Sequence, residues 1–152
     1  MIEIERKFLI KKGQWKPEGQ GTKIKQGYLS VDPERVVRVR IADQKAFLTI
    51  KGKAVGIVRT EMEYEIPKND AEILIQMCLN MPVEKTRFYQ VIDDITWEID
   101  VFEGENTGLI LAEVELENEF QKIEIPDWID KEVSNDIRYY NSWLARNPYS
   151  KW

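Results

Sequence analysis

No histidine occurs in the 152-residue chain. That absence removes His-based triads, imidazole general bases and the commonest zinc and copper ligands. Any chemistry must therefore come from carboxylates, Lys, Arg, Tyr or a metal held by oxygen. Cysteine is nearly absent too: Cys78 stands alone, so no internal disulfide forms, and a reducing compartment is the expectation. No apolar run approaches the ~20 residues of a membrane helix. Charges also occupy the N-terminal stretch where a signal peptide would be apolar, so a soluble cytoplasmic protein with no membrane partner is expected. No basic tail or run offsets the formal net charge of −5, which argues against an extended nucleic-acid footprint. No linker, low-complexity segment or fixed-period repeat divides the chain, so residues 1–152 read as one domain, and no feature sets an oligomeric state.

What is present is charge and strand-forming sequence. Hydrophobic residues make up 43% and charged residues 32%, a globular and highly charged composition. Stretches rich in Val, Ile, Thr and aromatics predict strands near 2–10, 22–31, 36–43, 45–53, 57–66, 83–92, 95–102 and 109–118. The short joins Asp43-Gln44, Val55-Gly56 and Asp93-Asp94 suit hairpins, which implies antiparallel pairing. One helix interrupts them: Pro67 and Asn69 introduce "DAEILIQMCLN", with Ile73, Leu74, Met77 and Cys78 on one stripe, and Pro82 stops it. The C-terminal "DWIDKEVSNDIRYYNSWLARNP" reads as a short helical turn, then a longer helix from about Asn135 that ends before Pro148, with Ile137, Tyr140, Trp143 and Leu144 as its packing stripe. Eight antiparallel strands can close into a barrel, which removes exposed edges.

Seven of the eight predicted strands carry a charged-x-charged pair of uniform sign. Side chains two apart in a strand share a face, so each pair lines one side. The pairs are Glu3 and Glu5, Arg38 and Arg40, Lys51 and Lys53, Glu61 and Glu63, Lys85 and Arg87, Glu98 and Asp100, and Glu113 and Glu115. Alternation of this kind is what any half-solvated antiparallel strand shows. Yet a merely wet face would share these positions with Ser, Thr, Gln and Asn, and here it hardly does. The alternation does not say whether the charged face is the barrel's outside or its inside. An inward face would gather eight carboxylates and seven cations, counting Lys7. Desolvation costs several kcal/mol per buried ion, against a domain stability of about 5–15 kcal/mol, so such a lumen cannot be dry. It must be wet, internally paired and built for a ligand needing both signs; a polyanion with a divalent metal is one.

The opening "EIERK" and the ordered pairs that follow resemble the CYTH-domain family, the triphosphate tunnel metalloenzymes. "VSNDIRYYN" resembles that family's Val-Thr-x-x-x-Arg-Tyr-x-Asn stretch, with Ser134 for Thr. The resemblance covers essentially the whole chain. It implies a mainly β fold: a closed eight-stranded antiparallel barrel with its charge inward, a few flanking helices and a C-terminal helix. It further implies hydrolysis of a small-molecule triphosphate with one or two Mg²⁺ or Mn²⁺ ions.

By that resemblance Glu3, Glu5 and Glu115 are expected to hold a first metal, and Glu113 a second. Lys7, Arg38, Arg40, Lys51, Lys53, Lys85 and Arg87 are expected to clamp the triphosphate, with Lys7, Arg87 and Glu113 nearest the chemistry. Glu61, Glu63, Glu98 and Asp100 are read as groups that orient those cations. Tyr28 faces the lumen or the core, Arg59 shares the phase of Glu61 as a further cation, and Lys23 and Lys25 read as solvated surface. Trp97, Phe88 and Val101 are expected outward beneath helices, and Cys78 in helix core. Family analogy lets the C-terminal segment cap one tunnel end, bringing Arg138 or Tyr139 near the substrate. No aromatic or amide pocket for a base or thiazolium is evident, so inorganic tripolyphosphate is the leading substrate, with weaker nucleoside triphosphatase activity. Thiamine triphosphatase, class IV adenylate cyclase and a silent metal–polyphosphate binding module are the alternatives.

Overall fold

A computed structural model describes residues 1–152. The strands are β1 (Ile2–Ile10), β2 (Thr22–Ser30), β3 (Val36–Ala42), β4 (Lys45–Lys51), β5 (Val58–Ile66), β6 (Val83–Ile92), β7 (Ile95–Phe102), β8 (Ile110–Glu115) and β9 (Ile129–Glu132). The helices are α1 (Lys68–Gln76) and the single turn α2 (Asn141–Leu144). Neighbours run β5-β4-β3-β2-β6-β7-β8-β1, and a β5–β1 pairing closes the ring, so eight antiparallel strands form the expected barrel. Its tight corners use residues that tolerate positive φ: Asp43 at 51° between β3 and β4, and Asp93 and Asp94 at 50° and 62° between β6 and β7.

The two faces of the wall are sorted by the period of two. Outward residues Phe8, Trp97, Ile99, Ala112 and Val114 form the main core, with Trp15, Phe88 and Trp128 packed against it. Trp15 meets Phe88 edge-on at 5.7 Å and Trp128 meets Trp97 edge-on at 5.7 Å. Trp97 and Phe88 thus face outward as expected, but irregular chain around Trp15 and Trp128 covers them, not helices. A second cluster comes from the inward phase itself. Leu9, Val83, Phe102 and Leu111 follow the lumen-facing charges along their strands and pack with Val133 and Leu144, filling that side of one barrel end.

Three expectations about local structure are corrected. The helix between β5 and β6 covers β3 and β4 through Ala71 and Ile75, with Leu74 against the same cluster, while Ile73 and Met77 are 61% and 64% exposed. The small Ala71 side chain lets the helix approach the sheet, so the packed stripe is rotated from the one expected. The chain has left the helix at Cys78, whose Sγ would lie 2.6 Å from a Cβ at Gly27, so only glycine fits beneath it. "IDKE", expected as helical turn, is β9, which pairs with β1 where β5 has left that edge. The long C-terminal helix is absent. A 3₁₀ turn at Ile137–Tyr139 is capped by Asp136, which accepts from the Arg138 N–H; Tyr140 is then extended, with ψ 135°, and α2 lasts one turn. Asp136 and Asn141 favour caps over helix interiors, and the apolar side chains follow the barrel end, not one helical face.

Candidate active site

The charged pairs point inward around a cavity of about 250 Å³. Only five of its 23 lining residues are hydrophobic, and two of those are Tyr28 and Tyr140. Glu3, Glu5, Lys7, Arg38, Arg40, Lys51, Glu61, Glu63, Lys85, Arg87, Glu98, Glu113 and Glu115 all line it, and Arg59 joins them. Asp100 lies fully buried behind the lining. Lys53 does not reach the cavity. β4 ends at Lys51, Gly52 donates its N–H to the Thr60 carbonyl, and the exposed Lys53 side chain leaves the alternation. Lys23 is on the surface, 2.7 Å from Glu103.

One side of the lumen is internally neutralised. Asp100 takes Arg87 bidentately, Nε at 2.7 Å and Nη2 at 2.9 Å, and accepts from Lys85 Nζ at 2.7 Å. Arg87 also pairs with Glu98 and lies 3.7 Å from Glu113, which is 3.4 Å from Lys7 Nζ. Burial alone would raise both acids, but Arg87 and Lys85 hold Asp100 far below the usual carboxylate range. Lys7, then Arg87 and Lys85, likewise hold Glu113 at about 2. Burial works against the charge on Lys7, yet Glu113 and Glu5 keep its pKa above the ordinary lysine value. Lys85, 1% exposed, goes the other way: burial, with Arg87 and Arg40 nearby, lowers it to about 7 despite Asp100. Lys51 forms a second paired group, 3.0 Å from Glu3 and 3.1 Å from Glu61.

Elsewhere charge is left over. Glu5 and Glu115 sit directly opposite each other across β1 and β8, a like-charge arrangement that destabilises a ladder, and neither forms an ion pair. Burial and then the Glu113 charge push Glu5 up to about 8. Arg40 has no carboxylate partner; its Nε donates to Gln26 Oε1 at 3.0 Å, and burial with Arg38 and Arg87 nearby lowers it to about 10. Arg38 reaches Thr49 at 3.2 Å and Glu63 at 3.4 Å through one nitrogen, while its buried Nε has no partner. Two carboxyl groups without an ion-pair partner, Glu5 and Glu115, and two guanidiniums with bonding capacity to spare, Arg40 with no carboxylate and Arg38 with an unpartnered Nε beside its Glu63 contact, face the same cavity.

The donor set suits a hard divalent ion. Carboxylate oxygens at Glu5 and Glu115 fit Mg²⁺ or Mn²⁺, and Glu3 lies two residues along the same strand face. No three acids gather closely enough to cage an ion as the side chains stand, so an ion on Glu5 and Glu115 would need Glu3 to move or would take its other ligands from water and substrate oxygens.

Sequence reasoning missed the uncharged partners. Gln26 and Thr49, both fully buried, orient Arg40 and Arg38, and Gln26 Nε2 donates to the Tyr28 hydroxyl at 3.0 Å. Their inward phase was the available signal. Ser134, Tyr140, Asn141 and Ser142 also line the cavity. The C-terminal segment does reach the site, but Arg138 faces solvent against Asp136 and Tyr139 contributes its backbone carbonyl.

The CYTH domain model matches residues 1–142. An inorganic triphosphatase of Acetivibrio thermocellus is 44% identical over 151 residues, covering 99% of this chain and 97% of that protein. An inorganic triphosphatase of Nitrosomonas europaea is 36% identical over 151 residues, with 95% and 97% covered. The crystal structure of an inorganic triphosphatase superposes with a TM-score of 0.66 at 35% identity, over 94% of this chain and 93% of that one.

Proposed function

The chain belongs to the CYTH-domain family, and from that premise we propose that it is a divalent-metal-dependent triphosphatase whose main substrate is inorganic tripolyphosphate. The observation that carries this reading is unmet bonding capacity of both kinds in one cavity: the carboxyl groups of Glu5 and Glu115, and the guanidiniums of Arg40 and of Arg38, whose Nε has no partner. A plain polyanion binder has no use for the acidic pair, and a plain cation site has none for the arginines. That the similar proteins of Acetivibrio thermocellus and Nitrosomonas europaea are inorganic triphosphatases supports the same choice. Among triphosphates the inorganic one is favoured because only five of the 23 lining residues are hydrophobic, and charged groups occupy most of the wall that a base or thiazolium would need.

In this reading Glu5, Glu115 and Glu3 would hold Mg²⁺ or Mn²⁺, which would supply Lewis-acid stabilisation of phosphate oxygens. Glu3 joins by giving up part of its contact with Lys51. Arg38 and Arg40 clamp phosphate oxygens in forked hydrogen bonds, and Lys51, Lys85 and Arg59 add positive charge. Lys7 and Arg87, both held on Glu113, meet charge that develops as the phosphoryl group transfers. Glu113 would hold a second ion only at the expense of those contacts. Glu61, Glu63, Glu98 and Asp100 keep the cations in place. A water oxygen bonds to a terminal phosphorus as its bridging P–O bond breaks, and the water's protons pass to the phosphate and pyrophosphate products or to solvent.

The test is phosphate release from tripolyphosphate, ATP and thiamine triphosphate with Mg²⁺, Mn²⁺ or EDTA. Release that needs metal and is fastest on tripolyphosphate is expected. Pyrophosphate and a cyclic nucleotide from ATP would instead make it a cyclase, and binding without release would make it a binding module.

A further inference from the structure

The segment Val133–Ser142 lies across the barrel end against β1 and β6 without joining the eight-stranded ring. It is tied down by the Val133 N–H on the Lys7 carbonyl at 2.8 Å, by Ser134 Oγ accepting the Lys7 N–H at 3.0 Å, and by the buried Leu144. From this strap two acceptors reach lysines in the lumen. Asn141 Oδ1 accepts from Lys85 Nζ at 3.1 Å, and the Tyr139 carbonyl accepts from Lys7 Nζ at 3.2 Å.

An ammonium has three N–H bonds in fixed tetrahedral directions. Lys85 gives one to Asp100 and one to Asn141, and its Nζ lies 5.4 Å from the Phe102 ring. Lys7 is held by Glu113 at 3.4 Å and the Tyr139 carbonyl, with the Tyr140 ring 5.4 Å away. With two acceptors engaged, each lysine keeps one N–H for a ligand. Asp100 alone would leave Lys85 free to turn about its single contact.

We propose that Asn141 is a positioning residue: its carboxamide oxygen fixes Lys85 so that the remaining N–H of that ammonium points at bound phosphate. The proposal rests on the triphosphate reading of the cavity. Asn141 also lines the cavity, so an effect that passes through Lys85 is separated from direct contact with the ligand, or from a merely structural strap role, by whether it disappears once Lys85 is gone.

The experiment is calorimetric titration of inorganic tripolyphosphate in EDTA, so that no turnover intervenes, into wild type, Asn141→Ala, Lys85→Met and the double variant. Asn141→Ser runs beside them as a second removal of the acceptor, and Arg146→Ala as an exposed change near the strap that touches neither lysine. Asn141→Ala and Asn141→Ser are expected to weaken binding about tenfold or more, while Arg146→Ala leaves it unchanged. In the Lys85→Met background the Asn141→Ala change is expected to have almost no effect, the non-additivity of two groups acting as one. A full and equal loss in both backgrounds would overturn the proposal, as would wild-type affinity in Asn141→Ala. Failure of wild type to bind tripolyphosphate at all would instead remove the triphosphate reading, and the proposal with it.

Discussion

Two sets of groups in the charged lumen differ in how they treat their own charge. Around Asp100 every ion has a counter-ion: Arg87 and Lys85 close on one carboxylate, and Glu98 and Glu113 complete the set. Around Glu5, Glu115 and Arg40 the pairing stops, the partners being a glutamine or a second carboxylate, and Arg38 keeps only a 3.4 Å contact to Glu63 beside Thr49. The first region reads as structure that holds without a ligand. The second reads as a site that costs folding stability until a cation and a polyanion arrive. Charge in a protein interior is therefore not one category, and what separates architecture from function here is the charge left without a partner.

The largest expected effect breaks the paired region. Asp100→Ala strands two buried cations, and removing one partner of a buried pair costs about 3–5 kcal/mol. Urea unfolding is expected to show that loss at unchanged m-value, with activity falling because the fold does. Arg40→Gln should act in the opposite sense on the unpaired region. Thermal unfolding without ligand is expected at or above the wild-type midpoint, since an uncompensated buried charge is gone, while the KM for tripolyphosphate rises about tenfold or more.

A gentler probe is pH. Lys85 is lowered to about 7 by burial and neighbouring arginines, so above that value the unfolded chain holds a proton the folded one has released. Ligand-free stability is then expected to rise from about pH 7 towards the ordinary lysine value, with at most about 1.4 kcal/mol per pH unit from this group. The same titration of Lys85→Met should lack that slope; an identical slope would place the proton elsewhere. The smallest effect belongs to Lys53, exposed and off the cavity. Lys53→Ala is expected to change kcat/KM less than about twofold and stability by about 0.5 kcal/mol or less, whereas Lys51→Ala should damage substrate binding.

Much of this was legible in the chain because a strand's period of two is strict. Thirteen of the charges in the seven pairs stayed in phase with the lumen or the wall just behind it; Lys53 alone was lost, to a strand that ended two residues early. Inward direction was not legible from alternation, because a wet outer face and a wet lumen write the same pattern. Gln26 and Thr49 escaped notice for a related reason: a search for charge passes over the neutral groups that aim it. The C-terminal segment was least legible. Its apolar residues have helical spacing, but Leu144 is bound by the barrel end while Ile137 is 49% exposed, so tertiary packing and the Asp136 cap overrode the helix. The strap's contacts with Lys7 and Lys85 span more than fifty residues, and no local signal announces them.

The most direct test of the division titrates Mn²⁺, and separately tripolyphosphate in EDTA, into wild type and Glu5→Gln at neutral pH. The account predicts that Glu5→Gln loses Mn²⁺ binding while keeping tripolyphosphate binding within a few-fold of wild type, because the arginine side of the lumen is untouched. Wild-type Mn²⁺ affinity in Glu5→Gln, or loss of both ligands together, would contradict it.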